Sequence, residues 1–304
     1  MMRAGRRRLA LAIASVSLSL AAPAAACTAV LTKASPDPVI AFDPFAGEAG
    51  TFELVLAIDR PEGEDCALGL AIAEDVAGGE RELRGAAEGA LRYVVESADG
   101  AEFPNSLDQP LPIAATPGAT TSLAVRFRVP AGQMAAAGDF TDQIRLRLVD
   151  LDAGQAQVGE ELGTVVRATV PSRAQVNLAG SAGHFDPGPF AFAGLDFGEM
   201  TTGDERSAFV QIRATRPVTV TLVSQNGGAL RRIGSGDPGE AVSYALSLNG
   251  SALDLSQGAQ SVPATPPVSL DGQSYPLSVR LTGDTSRMPA GQYRDVVTIE
   301  VTPN

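Results

Sequence analysis

Hydrophobic and polar positions along this chain alternate in short runs, and nowhere do they hold a helical period. Phe140, Asp142, Ile144, Leu146 and Leu148 stand at every second position, with polar residues between most of them. An apolar residue at every second place marks the buried face of a strand. The same phase recurs at Tyr293, Asp295, Val297, Ile299 and Val301. Each run follows a Pro-Ala-Gly-Gln segment, at 130–133 and 289–292. Upstream of each lies a second matched strand, Leu91-Arg92-Tyr93-Val94-Val95 and Val242-Ser243-Tyr244-Ala245-Leu246, closed by the turn dipeptides Asp99-Gly100 and Asn249-Gly250. The chain therefore reads as two copies of one topology.

The remaining alternating runs predict strands near 27–33, 52–59, 66–73, 90–97, 121–129 and 142–149 in the first copy. In the second they fall near 173–179, 206–213, 217–223, 241–248, 275–282 and 293–302. Many short strands separated by turn signals indicate an all-β protein of two β-sandwich domains, 27–170 and 171–304. The copies differ at one place. After its long strand the first continues through a Gly/Glu-rich turn into Gly163–Val170, where Val166, Ala168 and Val170 are expected to share a face and close the sandwich. The second copy has no counterpart, so its sandwich is expected to lack a final strand. Asp142 and Asp295 share a strand-start position, which suggests a structural hydrogen bond rather than acid–base work.

Residues 1–26 change the picture of where the chain works. Arg3, Arg6, Arg7 and Arg8 precede an apolar stretch from Leu9 to Leu20, and Ala24-Ala25-Ala26 supplies a small-residue cleavage pattern. That is the layout of an export signal. Arg6-Arg7-Arg8-Leu9 leaves the general and the twin-arginine routes both open. Cys27 follows directly, and the other cysteine is Cys66. Lipid attachment favours Leu where Ala24 stands and would strand Cys66, so the even count predicts a Cys27–Cys66 disulfide in an oxidising compartment.

Without those 26 residues the chain carries 19 basic against 35 acidic side chains, a net charge of −16. A chain so acidic repels nucleic acid and anionic membrane surfaces. His184 is the only histidine, so no histidine-based metal cluster can form. No nucleophile elbow, phosphate-binding loop, calcium loop or Cys-x-x-Cys pair occurs. Neither an enzyme nor a cofactor is expected.

The second copy resembles the spore coat protein U domain family, the subunits of archaic chaperone–usher pili. The likeness rests on Leu195-Asp196-Phe197-Gly198, on the Val242–Gly250 strand and turn, and on Pro289 to Val301. It extends more loosely to 27–170 through Cys27, Phe42-Asp43-Pro44-Phe45, Cys66, Leu91–Val95 and Phe140–Leu148. The resemblance implies immunoglobulin-like sandwiches, the second lacking its last strand. A periplasmic chaperone would fill the gap, and a neighbouring pilin subunit would replace it at an outer-membrane usher. Val297, Ile299 and Val301, with Val176 and Leu178, would line the groove. The mature chain enters a strand at Thr28 and offers no donor segment, so it is expected to be a two-domain tip adhesin on the cell surface. Attachment to an abiotic or host surface, with biofilm formation, would follow. Candidate adhesive loops hold Phe103, Leu107 and Leu111 in 103–113, and Met134 in the Met-Ala-Ala-Ala turn; capping the core is the plainer role for each. A non-adhesive coat protein and a freestanding periplasmic binding module remain as other readings.

Overall fold

The computed structural model describes residues 27–304 apart from 63–65, 74–79, 87–88, 104–108, 187 and 189–193. It is all-β. Two hydrophobic cores form with no shared residue, one built from Ala29 to Val170 and the other from Phe197 to Leu281. The parts around them are called here the first and second units.

The first unit contains β1 (Val30–Lys33), β2 (Val39–Ala41), β3 (Gly50–Asp59), β4 (Leu68–Ile72), β5 (Arg81–Arg84), β6 (Ala90–Ser97), β7 (Leu111–Ile113), β8 (Thr120–Val129), β9 (Gly138–Asp150) and β10 (Ala156–Val170). One face pairs β1, β3, β8 and β6; the other carries β5, β9, β10 and β2, with β4 bridging β9 to β7. Strands β9 and β10 form the longest ladder, with Val166 opposite Asp142 and Ala168 opposite Phe140. β2 runs parallel to β10 on its far edge. Both edges of β10 are therefore paired. Val166, Ala168 and Val170 lose nearly all contact with water.

The second unit contains β11 (Ala174–Ala179), β12 (Glu205–Ala214), β13 (Val218–Ser224), β14 (Ala229–Arg232), β15 (Ala241–Leu248), β16 (Ser251–Leu253), β17 (Gln260–Ala264), β18 (Gln273–Leu281), β19 (Tyr293–Arg294) and β20 (Val297–Pro303). Strands β11, β12, β18, β15, β14 and β19 make one sheet, and β17, β13 and β20 make the other. The run expected as one strand over 293–302 is split at Asp295 and Val296. There the Asp295 carboxylate accepts the N–H of Val296 at 2.8 Å and that of Asn226 at 3.0 Å, replacing ladder bonds. Asn249 and Gly250 both adopt positive φ, 49° and 81°. This is the backbone of a tight hairpin turn between β15 and β16.

The units meet closely. Thr215, fully buried, donates its hydroxyl to the Pro171 carbonyl at 2.9 Å and accepts the Arg173 N–H at 2.9 Å. Its own carbonyl accepts the Ala137 N–H from the first unit at 2.7 Å. Arg173 forms an ion pair with Asp43, and the Arg213 guanidinium lies between the rings of Phe45 and Phe185, 4.8 and 4.4 Å from their centres.

Candidate functional site

Strands β9 and β20 carry the same alternation, yet their apolar faces meet different surroundings. Ile144, Leu146 and Leu148 of β9 are all at 0 % exposure. The corresponding Val297, Ile299 and Val301 of β20 are each half-buried. The cause is the neighbour. β9 lies between β10 on one side and β4 and β5 on the other, whereas among the described residues β20 pairs only with β13. On its other side β20 approaches β11 without a ladder between them.

A cleft of about 150 Å³ opens there, between the two sheets of the second unit. Leu178 of β11, Leu195 and Phe197 form one wall, and Val297 and Ile299 of β20 form the other. Leu246, Leu277 and Val279 supply its floor. Arg206 holds the Leu195–Phe197 wall in place, donating from Nε to the Asp196 carbonyl at 2.9 Å while its guanidinium lies 5.4 Å from the centre of the Phe197 ring. The structure thus brings Leu178, Val297 and Ile299 together at the cleft. Val176 and Val301 lie on the same two strands, half-buried against the core.

Two polar side chains also line this cleft, Tyr244 and Asp295. The Tyr244 hydroxyl donates to Asp295 Oδ2 at 2.5 Å, and the Ser224 hydroxyl donates to the same oxygen at 2.6 Å. The first unit repeats the pair, with the Tyr93 hydroxyl donating to Asp142 Oδ2 at 2.6 Å. Burial and the neighbouring carboxylate raise both tyrosine pKa values well above the ordinary range. These are structural bonds. Both tyrosines therefore stay protonated near neutral pH and donate to the carboxylates.

The cysteines are joined, with Cα atoms 6.0 Å apart, beside Asp150 at the C-terminal end of β9. Near them the buried Arg60 donates to the Ala115 carbonyl at 2.7 Å and to the Cys66 sulfur at 3.3 Å. Of the loop candidates, Phe103 and Leu111 take the plainer role of packing on the core. Phe103 is 4 % exposed and packs in the first core, its N–H bonded to the Val95 carbonyl at 2.8 Å. Leu111 sits in β7, half-buried against that core and opposite Leu70. Met134 lines a second, separate cleft, between the two units, together with Thr215 and Pro217. Leu107 lies outside the described residues. His184 is 84 % exposed, its Nδ1 3.4 Å from Asp271.

No protein-family model matches the chain, and no curated protein sequence does. The resemblance to spore coat protein U domains therefore stands on the quoted residues alone. Among solved structures, the chain is similar to the complex of CsuC and CsuE, a chaperone with a tip adhesion subunit of archaic chaperone–usher pili of Acinetobacter baumannii. Identity is 11 %, with 90 % of this chain and 99 % of that chain covered and a TM-score of 0.46. It is also similar to the CupB6 tip adhesin of Pseudomonas aeruginosa, at 11 % identity and a TM-score of 0.38 over 90 % and 94 % of the two chains. CfaE, the adhesive subunit of CFA/I fimbria of enterotoxigenic Escherichia coli, follows at 12 % identity, a TM-score of 0.38 and the same coverage. Likenesses this slight carry no argument about function, and the site rests on its own geometry.

Proposed function

We propose that this protein is an exported pilus tip subunit whose second unit accepts a β-strand from another polypeptide along β20. One observation carries the reading: two strands of the same phase, β9 sealed by β10 and β20 with its far edge unpaired among the described residues. A bare strand edge over a half-covered apolar face is unstable against association. An added strand satisfies its backbone groups while alternate side chains fill the cleft. A periplasmic chaperone, an outer-membrane usher and a neighbouring pilin are the partners of such an exchange. The disulfide is consistent with an oxidising compartment. The first unit already holds its own closing strand, and we assign it attachment to an abiotic or host surface and, through attachment, biofilm formation. Residues 27–170 and 171–304 are the corresponding domains, and no catalytic step is assigned to either.

The test is amide hydrogen exchange on residues 27–304 secreted without partners, before and after adding a peptide with the sequence of β10. Expected are slow exchange in β9 and β10, fast exchange at the β20 amides that do not bond to β13, and protection of those amides once peptide is present. Uniform protection with no response to peptide would sink the proposal.

A further inference from the structure

The cleft along β20 is apolar except at one end, and that end is acidic. Asp295 accepts four hydrogen bonds, from the hydroxyls of Tyr244 and Ser224 and from the N–H groups of Val296 and Asn226. All four donors are neutral. They hold the carboxylate in place without cancelling its charge, and charge beside low-dielectric walls acts strongly on whatever enters.

The first unit shows how the same position is treated when the sandwich is closed. There Arg81, 2 % exposed, stands opposite Tyr93 in the β5–β6 ladder and reaches the Tyr93 hydroxyl. A guanidinium thus stands beside the hydroxyl that donates to the half-buried Asp142. In the second unit the residue opposite Tyr244 is Gly228, whose carbonyl accepts the Tyr244 N–H at 3.0 Å. The first unit sets a guanidinium beside its tyrosine hydroxyl, and the second has a glycine at the equivalent place.

We propose that the strand occupying this groove sets a lysine or arginine against Asp295; this rests on the strand-accepting reading above. The position follows from the ladder of the first unit. On β10 the residue opposite Asp142 is Val166, with Ala168 next toward Phe140. Transferred to the second unit, the occupant's residue in the place of Val166 faces Asp295, and that of Ala168 faces Tyr293. Asp295 is half-exposed at the mouth of the cleft. A long basic side chain can lay its stem on the apolar wall there and keep its head partly in water. Asp295 becomes the residue that selects among apolar strands, which the cleft alone cannot distinguish well.

The experiment uses residues 27–304 and two β10-sequence peptides, one with lysine and one with norleucine at the Val166 position. Affinities are read by titration on the native protein and on Asp295→Asn. Expected is binding about fivefold tighter for the lysine peptide, the size of a favourable cross-strand charge pair. That preference should shrink as salt is added and vanish in Asp295→Asn. The salt series on native protein stands by itself if the variant folds poorly. Equal binding of both peptides, or tighter binding of norleucine, overturns the basic-residue proposal and leaves the open groove intact. Binding of neither peptide overturns both.

Discussion

Tyr93 shows how one hydroxyl can tie stability to pH. Its O–H donates to Asp142 inside a core, so ionising it breaks that bond and sets two negative charges together. The folded state therefore keeps the proton above the ordinary tyrosine pKa of 10.0, while the unfolded chain releases it there. With more protons bound when folded, stability is level below about pH 10 and falls as pH rises beyond it. Urea unfolding between pH 8 and 11 should show this decline. Tyr93→Phe should flatten the part due to the first unit, while costing about 1–3 kcal/mol at neutral pH by leaving Asp142 short of a donor. The structural role of Asp142 and Asp295 was legible in the sequence because the repeat places both at the same strand start. Arg81 was not. Glu80-Arg81-Glu82 has the composition of a solvated face, and only the pairing of β5 with β6 turns Arg81 inward.

At the scale of elements, β10 and β20 give opposite responses to the same change. Val166 is sealed between paired strands, so Val166→Asp buries an unpaired charge and should cost about 3–5 kcal/mol in chemical unfolding of the first unit. Ile299→Asp acts on a half-exposed face and should cost about 1–2 kcal/mol, yet abolish binding of any apolar strand peptide. Equal costs at the two sites would mean that β20 is as covered as β10. The long strands were readable because period-two alternation survives over many residues. The short ones were not: β2 offers only Val39-Ile40-Ala41, and its parallel partner lies more than a hundred residues away in β10. β5, β14 and β19 are too short and too charged to show a period at all. The cleft was half legible, since the alternation of Val297, Ile299 and Val301 could be read while the Leu195–Phe197 wall and the polar end could not.

Across the whole molecule, β9 of the first unit runs from the junction, where Ala137 bonds to Thr215, to Asp150 beside the disulfide. Closing the loop between Cys27 and Cys66, 39 residues apart, should stabilise that unit by about 4 kcal/mol in the chain-entropy account. Cys27→Ser with Cys66→Ser should lower its unfolding midpoint alone, and a drop shared equally by both units would mean that they unfold as one. At the junction only three residues separate β10 from β11, and Thr215 binds the backbone on both sides of them. The Ala137 N–H and the Arg213 guanidinium between Phe45 and Phe185 add contacts from either unit. Linked units ordinarily swing about their connection. Here Thr215 ties both sides of a three-residue crossing, so any swing of the first unit against the unit that carries β20 must first break those hydrogen bonds.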